Sequence, residues 1–176
     1  MTNGHAVILQ KFLSELSHNH IEKILDAGSG KTSLNMITSC FPSATVDALV
    51  YPGDERKLHS IDPLLSGHVR AVEMDISKCG FEDSYDLVVA HLLLGEATKF
   101  GNTFHSVFEK LMKINGRYFI IIDYLEDPSV DEVEIRALCQ KTPFKIIKYL
   151  CLENQNPQVW DDFTGTHNFG YLIEKR

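Results

Sequence analysis

The sequence predicts an α/β fold, a mostly parallel sheet with helices on both faces. Three observations carry this. Short apolar runs alternate with amphipathic stretches along nearly the whole chain, as repeated strand–helix units require. The first apolar run ends in Asp26 and leads into Gly28 and Gly30, a tight turn through which a buried strand passes into a helix. The last two predicted strands have no helix between them, so they are expected to pair antiparallel.

The elements follow in order. Ile8, Leu9, Phe12, Leu13 and Leu16 share one face of a first helix over 6–17. A first strand covers 22–26. Thr32 or Ser33 opens the next helix, which carries Leu34, Ile37 and Phe41 and stops at Pro42. A second strand spans about 44–50, and Gly53-Asp54-Glu55 opens a short helix over 53–60. Pro63 and Gly67 punctuate a loop before the third strand, 68–74. A polar connection after Asp75 leads to a fourth strand, 85–90. In 102–113, Phe104, Val107, Phe108, Leu111 and Met112 follow helical spacing, and Asn115-Gly116 reads as the cap of that helix. The fifth strand is 117–123. Ser129 and Glu132 form a capping-box pattern that opens a helix to about residue 140. The sixth and seventh strands are 144–152 and 167–174, separated by a long loop over 153–166.

Bulk properties narrow the function. A chain of 176 residues suits a single domain, 1–176, with its short helix within 1–20. It shows no internal repeat, low-complexity tract or linker. The formal charge is −7 and the basic residues are scattered, which disfavours tight nucleic-acid binding. Cys40, Cys79, Cys139 and Cys151 are far apart, so buried free thiols are expected rather than a metal site or disulfides. There is no signal-peptide pattern, and no apolar run approaches the ~18 residues of a membrane span. A cytoplasmic location is therefore expected, with no membrane partner.

The glycine turn discriminates between ligands. A phosphate-cradling loop would need glycine at position 25, which is Leu25, and a dinucleotide fingerprint would need one at Ser33. A carboxylate at the strand end favours a cationic group or a hydroxyl over a phosphate. Asp26-Ala27-Gly28-Ser29-Gly30-Lys31-Thr32 instead resembles the first motif of class I S-adenosylmethionine (SAM)-dependent methyltransferases, acidic-x-Gly-x-Gly-x-Gly, with Thr32 in place of the last glycine. Tyr85-Asp86-Leu87-Val88-Val89 resembles that family's fourth strand, and Leu111 to Arg117 resembles the segment before its fifth. The resemblance covers about 20–174. It implies a Rossmann-like three-layer α/β/α sandwich with a seven-stranded sheet of order 3-2-1-4-5-7-6, the last strand antiparallel. It also implies SAM as cofactor, bound by Asp26, Gly28, Ser29, Gly30 and Thr32, with Asp75 and Ile76 on the adenine and His91 beside the cofactor. The family's acidic residue at the end of the second strand falls near Val50 here. Tyr51 and Asp54 are expected to serve the ribose in preference to Asp47.

The acceptor side is read from the residues around this pocket. His91, where the fourth strand opens on the cofactor, is the candidate catalytic base. Glu96, Asp123, Tyr124 and Trp160 are candidate substrate contacts. The ligand spacing for a metal is absent. The fourth strand leads into Ala90-His91-Leu92-Leu93 and not into the Asn/Asp-Pro-Pro-aromatic motif of enzymes that methylate nucleic-acid bases. The expected function is methyl transfer to oxygen or nitrogen of a small molecule or protein. A non-catalytic SAM-binding protein, a sensor or a subunit, is the alternative, and an NAD-dependent oxidoreductase a weaker one. The short N-terminal helix leaves a shallow acceptor site, which suits a protein substrate, a partner subunit or a homodimer that completes the pocket.

Overall fold

In the computed structural model the described residues are 4–28, 30–77, 83–98, 101, 103–124, 132–140, 143–153, 159–160, 163–164 and 167–176. The element order is α1 (Gly4–Leu16), β1 (Lys23–Asp26), α2 (Lys31–Cys40), β2 (Thr45–Val50), α3 (Glu55–Ile61), a 3₁₀ turn (Asp62–Leu64), β3 (Val69–Glu73), β4 (Ser84–His91), α4 (Leu93–Thr98), α5 (Phe104–Lys113), β5 (Asn115–Tyr124), α6 (Glu132–Cys139), β6 (Phe144–Glu153), β7 (Val159–Trp160), β8 (Phe163–Thr164) and β9 (His167–Lys175).

Seven strands form one sheet in the order β3-β2-β1-β4-β5-β9-β6. The first five run parallel, and β9 lies antiparallel to both β5 and β6. Numbered by the strands of this sheet alone, the order is 3-2-1-4-5-7-6, the Rossmann-like arrangement expected from the sequence. β7 and β8 form a separate two-stranded ribbon inside the stretch read as loop.

Side chains alternate across each strand, so the sheet buries two apolar faces. On one, Ile24, Val46, Leu87, Val89, Ile120, Ile122 and Leu172 pack with Ile8, Leu9, Phe12 and Leu13 of α1 and Leu34 and Ile37 of α2. On the other, Leu25, Val88, Phe119, Ile121 and Tyr171 pack with Leu94 of α4, Val107, Phe108 and Leu111 of α5, and Ile135 of α6. These are the two helical layers of the sandwich.

Several local expectations need correction. α1 begins at Gly4, which brings His5 into the helix. Asn115 and Gly116 do not cap α5; the chain leaves that helix at Ile114 in an extended conformation, and both residues pair with Ser84 and Tyr85 as the first rungs of β5. α4 stands between the fourth strand and the 102–113 helix, where the sequence predicts no element. Of the cysteines, Cys139 is buried, Cys40 is half-buried and Cys151 is exposed; Cys79 lies outside the described residues. Burial pushes the Cys139 thiol up to about 12, which makes it an inert core group. Among the described residues, no helix is long and apolar enough to cross a membrane.

Candidate functional site

The chain builds the sheet outward from β1 in one direction and from β4 in the other. The strand order therefore reverses between β1 and β4, and a crevice opens at their carboxyl ends, where open α/β sheets bind ligands. β1 stays locked to β4 past its end, because Ala27 N–H donates to Val89 O at 2.7 Å. A Cβ built on Gly28 would lie 2.5 Å from the carbonyl oxygen of His91. Glycine is thus required at position 28 by the β4 backbone crossing beside it. Gly30 differs: it is the extended N-cap of α2, and nothing lies within 4 Å of a Cβ placed there.

Asp26 is fully buried. Its Oδ2 accepts a 2.7 Å hydrogen bond from the Ser33 hydroxyl, and the same Oγ accepts from Gly30 N–H at 3.2 Å. The strand-end carboxylate thereby braces the glycine turn through the first turn of α2. Thr32 lies exposed in that turn, and Ser29 is outside the described residues. Beyond β4, Leu92 adopts φ 58°, a left-handed conformation that costs a non-glycine residue about 1–2 kcal/mol. Such strain concentrates at functional sites.

The residues expected to hold adenosine flank this turn. β2 ends in the buried Val50, whose carbonyl accepts from Met74 N–H at 2.9 Å, so the ends of β2 and β3 lie side by side. Tyr51 is half-buried. Pro52 and the left-handed Gly53 (φ 81°) turn the chain, and Asp54 N–H returns to Tyr51 O at 3.0 Å. Asp54 Oδ1 then caps α3 by accepting from Lys57 N–H at 3.0 Å. Asp75 is buried, and its Oδ1 accepts from the backbone and hydroxyl of Ser77 at 3.0 and 2.7 Å. Ile76 is buried beside it.

Asp47 does other work. Arg70 grips it with Nε at 2.5 Å and Nη2 at 3.1 Å, and the Tyr85 hydroxyl donates to it at 2.9 Å. Burial raises the carboxyl's pKa, but Arg70 and Tyr85 outweigh burial and hold it below the ordinary value. Burial and the same carboxylate push the Tyr85 hydroxyl up. Asp47 thus ties β2 to β3 and β4 within the sheet.

On the acceptor side, His91 is buried and its Nε2 lies 2.9 Å from Nδ1 of His5 on α1. Burial, with the positive charges of protonated His5 and Lys57 adding, lowers its pKa to about 3. Burial also lowers that of His5. The His5 ring meets Tyr124 edge-on at 6.0 Å. Asp123 is buried, and its Oδ2 accepts from Leu94 N–H at 3.1 Å and Gly95 N–H at 3.3 Å, which fastens α4 to the end of β5. Glu96 lies on α4 and Trp160 pairs with Phe163 in the small ribbon; the side chains of both fall outside the description.

The structure therefore gathers Asp26, Gly28, Gly30 and His91 at the β1–β4 junction, with Tyr124 close by. The sequence reading missed Ser33 as a brace, and also His5 and Asn168. Ser33 carried a signal, as a hydroxyl one helical turn past the glycines. His5 carried none, since its partner is 86 residues away.

No protein-family model and no curated protein sequence matches the chain. Solved structures do. A putative RNA methyltransferase from Pyrococcus horikoshii superposes with a TM-score of 0.67 at 14% identity, over 97% of this chain and 82% of that one. The 1,6-didemethyltoxoflavin-N1-methyltransferase of Burkholderia thailandensis, solved with S-adenosylhomocysteine bound, gives 0.64 at 14%, over 97% and 79%. The fold is that of the class I SAM-dependent methyltransferases. The mitomycin 7-O-methyltransferase shares it (TM-score 0.62, 13% identity), with this chain spanning 54% of that protein's length. Proteins of this class I fold in the comparison are thus named for small molecules and for RNA.

Proposed function

We propose that the chain is a SAM-dependent methyltransferase acting on oxygen or nitrogen of a small molecule or protein. The observation that carries this reading is the β1–β4–α2 junction: a braced strand-end carboxylate, one glycine closed against the next strand, and a second glycine facing open space. A ligand can meet bare main chain at Gly30. The amides of the first turn of α2 have no intrahelical partners, which suits the carboxylate of the cofactor's methionine moiety. Asp75, Ile76, Tyr51 and Asp54 are the adenosine-side residues in this reading. When bound, the cofactor supplies a methyl group already activated on sulfur. The protein's part is to position the reactants and exclude water. His91, kept neutral by burial, suits orientation better than proton removal, because an effective base needs a pKa near the working pH. The net charge of −7 favours a small-molecule or protein acceptor over nucleic acid.

One observation favours the alternative of a non-catalytic SAM-binding protein. β2 ends in the apolar Val50, and Asp54, the nearest carboxylate beyond it, is engaged by the α3 backbone. Titration calorimetry against SAM, S-adenosylhomocysteine and NAD tests the cofactor. SAM and its product are expected to bind and NAD is not; failure of SAM to bind removes both readings. Transfer of labelled methyl to a pool of acceptors then separates enzyme from binder.

A further inference from the structure

On the α1 side the strand ends are closed. His91 on β4, Tyr124 on β5 and Asn168 on β9 form a polar row there, the last two being direct partners across the ladder. The first turn of α1 covers this row: His5 reaches His91, and a Cβ on Gly4 would lie 2.6 Å from Asn168 Nδ2. Leu92 comes next along the chain, directly after the His91 carbonyl that abuts Gly28.

Among the described residues Leu92 is the one non-glycine residue with a positive φ, 58°. Side chains alternate along a strand. His91 faces α1, and Val88 and Ala90 belong to the apolar cluster on the opposite face, with residues of α4 and α5. A Leu92 that kept strand geometry would follow Val88 and Ala90 into that cluster. The left-handed turn takes it out of the alternation. Leu92 is half-buried and packs on neither apolar cluster, whereas its neighbour Leu93 packs on the second. The backbone is held on both sides of the turn. Leu92 N–H donates to Ile122 O at 2.8 Å, and Asp123 Oδ2 accepts from Leu94 and Gly95 N–H. Glycine or asparagine would adopt this conformation with less strain. The chain thus carries a large apolar side chain at the rim of the crevice, where it adds strain and stays out of both cores. Strain that the surroundings enforce in this way clusters at ligand clamps.

We propose that Leu92 is a ligand-contact residue: its side chain forms an apolar wall of the crevice and covers the cofactor of the function proposed above, on which the inference rests. The ligand class is a nucleoside thioether or sulfonium, whose carbon chain and sulfur offer the apolar surface that such a wall needs. Each methylene withdrawn from water strengthens binding about fourfold. The contact is made at the expense of the fold, as in other sites where activity and stability trade against each other.

The test uses the full chain, with S-adenosylhomocysteine as the probe. Titration calorimetry is expected to show binding weakened about tenfold in both Leu92→Ala and Leu92→Gly. The heat-capacity change of binding should be less negative in both, because less apolar surface is buried. Leu92→Gly and Leu92→Asn should melt no lower than wild type, since both relieve the left-handed strain. Affinity unchanged in Leu92→Ala overturns the contact; weakening confined to Leu92→Gly assigns the effect to the backbone and overturns it equally. Leu92→Gly and Leu92→Asn both melting well below wild type mark an ordinary packing residue, which also overturns it. Wild type that fails to bind S-adenosylhomocysteine removes the methyltransferase reading and this inference with it. Binding by wild type together with any overturning result removes this inference alone.

Discussion

Gly28 and Gly30 are separated by one residue and answer to different constraints. From sequence both read as bare backbone for a ligand. Position 28 belongs to packing, because the His91 carbonyl occupies the space of a side chain, and position 30 belongs to the open crevice. Gly28→Ala should therefore cost about 1–3 kcal/mol in urea melts, as overpacking does. Gly30→Ser should leave stability nearly unchanged, because serine is a good N-cap, while weakening SAM binding in calorimetry. Ser33→Ala is expected to cost about 1–3 kcal/mol, since it removes a donor to a fully buried carboxylate; a urea midpoint equal to wild type would show that Ser33 is no brace. The motif points to this turn, but the division of labour inside it depends on a strand more than sixty residues away.

α4 shows why some elements escape a reading of local sequence. Its amino-terminal N–H groups are capped by Asp123, which lies on β5 far along the chain. No pattern within Leu92-Leu93-Leu94-Gly95 announces it. Asp123→Ala should cost about 1–3 kcal/mol, with loss of amide protection across 93–98 by hydrogen exchange. Asp54→Ala, which removes a local cap visible in the sequence, should cost nearer ~1 kcal/mol. Asn115-Gly116 misled for the opposite reason. The dipeptide has the composition of a helix cap, but the ladder to Ser84 and Tyr85 claims its backbone. Long amphipathic helices and apolar strands were legible because their own periodicity decides their burial.

Across the whole molecule, stability should depend on pH through the buried imidazoles. His91 falls from an ordinary value of 6.5 to about 3 in the fold, and His5 moves the same way. Between these limits the unfolded chain binds more protons than the folded one, so stability declines as the solution is acidified from about pH 6.5 towards about pH 3. Urea midpoints measured across that range should fall, and His91→Asn should flatten the slope. His105, on the surface beside Glu134, runs oppositely: its pKa is raised, so its contribution is present below its ordinary value and is lost as pH rises through the raised one. Alternation and an antiparallel finish made the class of sheet legible, while its strand order came from the resemblance carried by the motifs; the polar row under α1 was not legible, since it exists only once β4, β5 and β9 lie together. The late strand has a consequence for biosynthesis. β9 sits between β5 and β6, so a ribosome delivers β6 before the neighbour that gives it a place. β6 has both margins open until that later segment joins the sheet, and pulsed hydrogen exchange during refolding should show β6 and β9 gaining protection together.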